Sequence, residues 1–389
     1  MSKLWSKNFL LLSLSNFFMF GSFYMLLPTL PLFIVEVLKG NENQVGLIIG
    51  FFSMAQIFSR PLTGRWLDQF GRKGIFLIGR IVFVISMFFY LGISCIYILF
   101  LLRIIHGFGF GMATTSAGTI AADIIPQERR AEGMGYYSSF ASLAMIVGPF
   151  VGMWLLSYTS YTNMFIVCTF IAAISVVLGY FIQFTENGKE KKPQKKEFHW
   201  DQLIEKKAIP ISIVSSFIYV IYGGIVSFIA LYAMKIGEAQ WAGTFLGVFS
   251  LALILSRPVS GKMSDRYGAA YVVVPGLILM ILSMVVLSFA GSLITFITAA
   301  TLGGFSFGLI QPSLHALVIK EVEVQRRGAA TATYFMSADI GISIGSFLLG
   351  YLASTIGYSF MYLTSCIFII AGLIVYVRIE VKRRVTPHF

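Results

Sequence analysis

Apolar residues run along this chain in long blocks, and polar residues gather in short interruptions between them. The blocks fall at roughly 9–34, 45–64, 74–95, 97–122, 133–157, 162–184, 208–234, 240–260, 270–290, 293–319, 328–355 and 358–378. Each is long enough for a helix that crosses a bilayer, which needs about 20 apolar residues. The pattern predicts an all-α integral membrane protein with twelve transmembrane helices. The longest polar stretch, Thr185 to Lys207, carries Lys189, Lys191, Lys192, Lys195 and Lys196 and separates six blocks from six. The expected organisation is an N-terminal six-helix bundle at 1–184, a cytoplasmic linker at 185–207 and a C-terminal six-helix bundle at 208–389. The linker reads as a solvated connector, with contact to anionic lipid as the alternative.

Composition narrows the class. The chain is 57% hydrophobic and 12% charged, with a mean hydropathy of +0.83, too apolar for a domain whose solvent is water. Membrane lipid is its expected surrounding. The formal net charge of +12 raises nucleic acid as a partner, and the placement of the charge answers it. If the first span leaves the cytoplasm, only Lys39 and Lys235 of the 29 Lys and Arg fall in external loops and Arg103 falls within a span. The others sit at internal ends and loops, as the positive-inside rule describes. Both termini are therefore expected in the cytoplasm of a cell whose plasma membrane this multi-pass chain occupies, a bacterial one by preference. The clustered basic face of a nucleic-acid binder is absent.

Lys3 and Lys7 before an apolar stretch resemble the start of a signal peptide. The stretch runs from Phe9 to Phe33 without a small-residue cleavage site, so it reads as the first span. Cys95, Cys168 and Cys366 lie in apolar blocks and have no disulfide or metal-ligand spacing. No cofactor and no metal are expected.

A constant offset of 197 residues relates the two halves. Ser59-Arg60-Pro61 falls on Ser256-Arg257-Pro258, Gly64 on Gly261, Asp68 on Asp265 and Gly71 on Gly268. Without a gap, Gly107-Phe108 falls on Gly304-Phe305, Phe110-Gly111 on Phe307-Gly308, Arg129-Arg130 on Arg326-Arg327, Tyr137 on Tyr334 and Gly148 on Gly345. Apolar similarity alone does not place charges, prolines and glycines together. Six spans per repeat is an even number, so both copies enter the membrane from the same side. That arrangement resembles the paired halves of major facilitator transporters, which rock about a central site and open it to one side at a time.

The loop after the second span strengthens the resemblance. Gly64-Arg-Trp-Leu-Asp68-Gln-Phe-Gly71-Arg72-Lys73 is similar to the signature loop of the major facilitator superfamily. Its glycines permit tight turns and close backbone approach, and its charges suit a helix N-terminus and a carboxylate. The resemblance implies that Asp68 meets the start of span 11 and that Arg72 meets Asp123 at the inner end of span 4. Gly64, Asp68, Gly71, Arg72 and Asp123 would then form a conformational latch between the halves. Gln69 departs from the family's usual basic residue, and the second copy replaces Arg72-Lys73 with Ala269-Ala270 and Asp123 with Lys320.

Two further segments resemble exporters of this family. Arg103-Ile-Ile-His106-Gly107 is similar to an intramembrane arginine motif in which glutamine is commoner than His106. A charge at that depth needs a partner or a wet cavity, unless Arg103 snorkels to the outer surface. Ala144-Met-Ile-Val-Gly148-Pro149-Phe-Val-Gly152 is similar to a glycine and proline motif of antiporters. Gly148, Pro149 and Gly152 allow close helix packing and a bend, which is also a sufficient reading. Pro28 and Pro31 are similar to a pattern of twelve-span drug exporters.

Asp339 lies about eleven residues into span 11, the one acidic residue well inside a span. An isolated carboxyl there resists ionisation, which suits proton exchange during a cycle; a permanently protonated, hydrogen-bonded carboxyl is the alternative. Asp339 and Arg103 are the candidate proton-coupling residues. Asn16, Tyr24, Gln56, His106, Tyr219, Tyr222 and Gln311 are candidates for the substrate cavity, and His315 reads as a satisfied helix-end histidine. No Walker-type loop occurs, so an ion or substrate gradient must supply the energy. The expected function is not enzymatic. It is secondary active transport of a small molecule by a monomer, as a proton-coupled efflux antiporter of drug-like or amphipathic compounds. An exporter of a metabolite, sugar or metallophore is the alternative, and a lipid flippase or membrane sensor lies further off.

Overall fold

The computed structural model describes residues 4–126, 130–183, 204–320, 322 and 327–385, and among them there is no strand. Ten helices run from α1 to α10: α1 (Lys7–Glu36), α2 (Glu42–Phe70), α3 (Arg72–Phe89), α4 (Ile96–Ile124), α5 (Arg130–Tyr158), α6 (Tyr161–Tyr180), α7 (Ile209–Ile236), α8 (Trp241–Tyr267), α9 (Ala270–Ser288) and α10 (Leu293–Lys320). The last helical run, Arg327–Val385, is broken at Gly357, whose φ of 80° and ψ of 167° are not helical. The break divides it into α11 (327–356) and α12 (358–385). Eleven described runs are long and apolar enough to cross a membrane, and the last of them spans 53 residues. A straight helix of that length would be about 80 Å long, more than twice a hydrocarbon core, so it crosses twice. The expected twelve spans are present.

Most of the linker, the paired Arg129 and Arg326, and the side chains of Asp68, Arg130, Asp265 and Arg327 lie outside the described residues. At the linker's end, the 204–207 segment is folded rather than free. Glu205 is buried, its N–H donates to the Thr333 hydroxyl at 2.9 Å, and Lys206–Ala208 form a 3-10 turn leading into α7.

Local chemistry explains the helix ends. Ser6 caps α1 by accepting from the Phe9 N–H at 3.2 Å, and Ser160 caps α6 by accepting from the Asn163 N–H at 3.3 Å. Gly71 and Gly268, equivalent in the repeat, have φ of 86° and 94°, and each ends one helix and starts the next within a residue or two. A side chain would strain that backbone. Within the helices, hydroxyls turn back to the preceding turn, as Thr29 does to Met25, Thr63 to Ser59 and Ser116 to Met112. In lipid such internal satisfaction is what allows a hydroxyl to be carried. Large apolar side chains face outward, among them Phe58, Phe88, Phe170 and Ile294. Such surfaces belong against hydrocarbon.

The chain forms two compact units, Met1–Gly40 with Phe51–Glu197 and Asn41–Gly50 with Phe198–Phe389. In the first, α1 packs on α5 and α6, and α3 on α4 and α6. In the second, α7 packs on α11, α10 on α8 and α9, and α9 on the last helical run. Residues 41–50 join the second unit through close backbone approach: Gly46 lies against the Ser346 carbonyl and the Gly350 Cα, and the Tyr358 hydroxyl donates to Glu42 at 3.2 Å.

The repeat is visible in how backbones meet. A Cβ on Gly107 would collide with the Phe52 carbonyl, and one on Gly304 with the Phe249 carbonyl. Gly111 lies against the Ser59 hydroxyl as Gly308 lies against the Ser256 hydroxyl. Each unit therefore presses α4 on α2, or α10 on α8, at equivalent positions. The antiporter-like segment behaves similarly: Gly148 and Gly152 bring α5 onto α1 at Tyr24 and Met25, and Gly345 brings α11 onto α7 at Val220. Pro28 and Pro31 lie within α1, and Pro149 within α5.

The charge count needs a correction. Arg80, counted among the cations at internal ends, is fully buried on α3. Its Nη1 donates to the Ser15 carbonyl at 2.9 Å, its guanidinium lies 4.5 Å from the Phe76 ring centre, and its Nε and Nη2 have no hydrogen-bond partner. An apolar block can hide such a residue because a single cation hardly changes its mean hydropathy.

Candidate transport site

In the first unit, three helices bring Phe23 (α1), Phe52 (α2) and Phe110 (α4) together. Their ring centres are 5.1 Å apart for Phe23 and Phe52, 4.6 Å for Phe23 and Phe110, and 5.5 Å for Phe52 and Phe110. Tyr24, a predicted cavity residue, is joined to this group through Phe20 and Phe23, at 5.8 and 5.4 Å. Gln56, one turn beyond Phe52, is buried and accepts from Arg60 at 3.2 Å. Asn16 is buried on α1, and its Oδ1 has no hydrogen-bond partner.

Arg103 is buried and does not snorkel outward. Its guanidinium lies 4.0 Å from the centre of the Phe52 ring, a cation–π contact. Its Nη1 donates to the Tyr90 hydroxyl at 3.4 Å, and that hydroxyl is 3.1 Å from Nδ1 of His106. His106 is fully buried among the rings of Phe52, Phe83 and Tyr90. Tyr90 sits in the 3-10 turn Tyr90–Gly92 after α3, and its own ring packs on Phe165 at 5.4 Å. Sequence reasoning did not single out Tyr90, because a lone tyrosine at the end of an apolar block carries no motif.

The second unit repeats the aromatic group. Phe249 and Phe307, equivalent to Phe52 and Phe110, are 6.1 Å apart, and Tyr222 on α7 lies 6.2 and 5.1 Å from them. Tyr219 packs edge-on against Phe307 at 5.2 Å. Where the first unit adds Arg103 and His106, the second has Ala300 and Gly303.

Asp339 is buried on α11. Gly341, two residues on, presses α11 against the Ser216 carbonyl and the Tyr219 Cβ of α7. Tyr219 consequently shares an electrostatic neighbourhood with Asp339, Tyr222, Tyr334 and Arg257. This corrects the expectation of an isolated carboxyl. Arg257 belongs to the repeated Ser-Arg-Pro segment, so the repeat was the signal that could have drawn attention to it. Gln311 accepts from the Tyr334 hydroxyl through its carbonyl at 3.1 Å, and His315 is within 3.4 Å of the Thr331 hydroxyl and stacks on Tyr334 and Phe335. Asp339 and Arg103 belong to different units, and each has its own local partners.

At the latch sequence, Arg72 and Asp123 form an ion pair between the start of α3 and the end of α4. Both side chains are about a third exposed, at 34% and 30%. Gly71 supplies the turn, whereas a Cβ on Gly64 would meet nothing. The Asp68 side chain lies outside the described residues. Among the described residues no group of three or more His, Cys, Asp or Glu could hold a metal ion.

Twelve membrane-crossing helices in two repeat-related units, each with an aromatic group at equivalent positions, define a polytopic membrane protein of the transporter class. The sequence model for the Major Facilitator Superfamily matches residues 12–252 and again residues 213–388, and the chain belongs to that family. It is 25% identical to the staphylopine export protein of Staphylococcus aureus, over 87% of either chain. It is 24% identical to a multi-drug resistance efflux pump PmrA homolog of Lactococcus lactis, over 95% of this chain and 94% of that one. Among solved structures, a mutant of the nucleoside transporter NupG superposes with a TM-score of 0.81 at 15% identity, covering 95% and 99% of the two chains. The protein is thus a membrane transporter of the major facilitator fold and not an enzyme.

Proposed function

We propose that this transporter exports amphipathic small molecules in exchange for protons, by alternating access between its two halves. Export is supported by the relatives named for staphylopine export and multi-drug efflux. Proton exchange rests on one observation: Asp339, a buried carboxyl in a membrane-crossing helix, lies beside Tyr219 where α11 meets α7. A carboxyl in such a place changes charge only with a matched change in its surroundings, which links proton binding to conformation. Arg103 supplies a fixed positive charge, and Tyr24, Gln56, His106, Tyr219, Tyr222, Gln311 and Asn16 contribute the polar and aromatic contacts to cargo. Arg72 and Asp123, with Asp68, Gly64 and Gly71, act as the latch that favours one conformation. The working form is a monomer in a plasma membrane, with both termini in the cytoplasm. A dedicated cargo such as a metallophore is the second reading, favoured by the staphylopine export relative.

The test is transport in proteoliposomes with an imposed pH gradient, over a panel of amphipathic dyes. The reading expects uphill movement that collapses when a protonophore is added. Movement indifferent to the protonophore would reject proton coupling, and no movement of any amphipathic compound would reject the cargo class.

A further inference from the structure

The contacts of Tyr90 fix more than its own position. A guanidinium has no acceptor lone pair, so Arg103 can only donate to the Tyr90 oxygen, at 3.4 Å. The acceptor within reach of that hydroxyl's own proton is Nδ1 of His106, 3.1 Å away. In the arrangement that leaves the Tyr90 proton bonded, Nδ1 is the acceptor and the neutral ring carries its proton on Nε2. His106 Nε2 is buried and has no hydrogen-bond partner. In this arrangement the bonds from Arg103 through Tyr90 to His106 run in one direction and end in a donor. A buried donor without an acceptor is destabilising, and the cost is relieved when an acceptor arrives.

From this geometry we infer that Tyr90 is a positioning residue that turns Arg103 and His106 into a donor-only subsite for a carboxylate carried by an aromatic cargo. The inference rests on the export reading above and names the cargo's chemistry. Arg103 provides the charge, already held on the face of Phe52 at 4.0 Å. His106 Nε2–H provides the directed hydrogen bond. The rings of Phe23, Phe52 and Phe110 provide the apolar wall for the rest of the molecule. Phe23 is only half-buried, so it is the ring of that wall with room to turn as cargo enters. An amine in place of the carboxylate would present hydrogens to hydrogens, and an amide offers one uncharged acceptor oxygen beside an NH2 that finds no acceptor, whereas both carboxylate oxygens accept and carry charge. The second unit lacks this pair, since Ala300 and Gly303 replace Arg103 and His106.

The probes are 4-phenylbenzoate and 4-phenylbenzamide, which share an aromatic body and differ in charge. Their affinities for the purified full-length protein are measured by calorimetry. The expected result is tighter binding of the benzoate by about tenfold or more, the usual worth of a charge-assisted hydrogen bond. Tyr90→Phe should reduce that ratio about fivefold or more, with the loss falling on the benzoate. Equal affinities in the wild type, or a ratio that survives Tyr90→Phe, would overturn the inference. If Tyr90→Phe fails to fold, His106→Phe keeps a ring among Phe52, Phe83 and Tyr90, removes both nitrogens, and should reduce the ratio about fivefold or more; a ratio unchanged there is equally fatal. The tautomer is read on the wild type by nitrogen-15 spectroscopy of histidine-labelled protein. A proton on Nε2 of His106 supports the scheme and one on Nδ1 overturns it. Export is tested separately in proteoliposomes: a benzoate preference in a protein that moves no amphipathic compound would sink the export reading and leave the subsite standing.

Discussion

At the scale of single residues, Asp339 and Arg103 have different proposed roles, and the difference predicts their mutants. Asp339 is the group proposed to gain and lose a proton, so Asp339→Asn imitates the protonated state permanently. Gradient-driven export should be lost while equilibrium binding of cargo stays within about threefold, a change below 1 kcal/mol. Arg103 is proposed to hold cargo rather than to exchange a proton, so Arg103→Ala should weaken both binding and turnover. Arg103→Lys keeps a cation but not the planar fork that lies on Phe52 and reaches Tyr90, and should recover only part of the loss. Binding titrations and flux measurements on the same preparations separate these outcomes. A full recovery by lysine would mean that charge alone matters at this site.

Elements explain which parts of the sequence could be read and which could not. The spans were legible because lipid demands long apolar helices with every backbone group satisfied internally. The repeat was legible because glycines such as Gly107 and Gly304 are fixed by backbone contacts that admit no side chain. Arg80 and Tyr90 were not legible. Their roles come from neighbours on other helices, the Ser15 carbonyl for one and Arg103 with His106 for the other, and such pairings leave no periodic trace. Asp339 was found as a buried acid but misjudged as solitary, because the approach of α7 at Gly341 sets its surroundings. The packing account predicts a graded effect within α4. Gly107→Val should lower stability by about 1–3 kcal/mol through overpacking against Phe52, and Gly304→Val should do so to a similar degree in the second unit. Gly118→Ala, where a Cβ meets nothing, should be neutral or slightly stabilising. Thermal unfolding of the three variants in detergent checks this, and equal losses at Gly107 and Gly118 would refute the packing argument.

For the whole molecule, the proposed cycle requires that its two halves exchange conformations, and the proposed latch would bias that exchange without unfolding the protein. A partly exposed ion pair such as Arg72 with Asp123 is worth about 0–1 kcal/mol of stability. Asp123→Asn should therefore insert and express normally yet shift the population toward the state open to the cytoplasm. Cysteine labelling from that side should increase, and transport should fall; unchanged labelling with full transport would remove the latch from the mechanism. The central claim, proton-coupled export, is tested most directly by following cargo and lumenal pH together in proteoliposomes containing wild type or Asp339→Asn. The account predicts that wild-type protein moves cargo uphill against a compensating proton flux, and that Asp339→Asn binds cargo but moves neither cargo uphill nor protons with it. Uphill export by Asp339→Asn at the wild-type rate and with the wild-type pH dependence would contradict it.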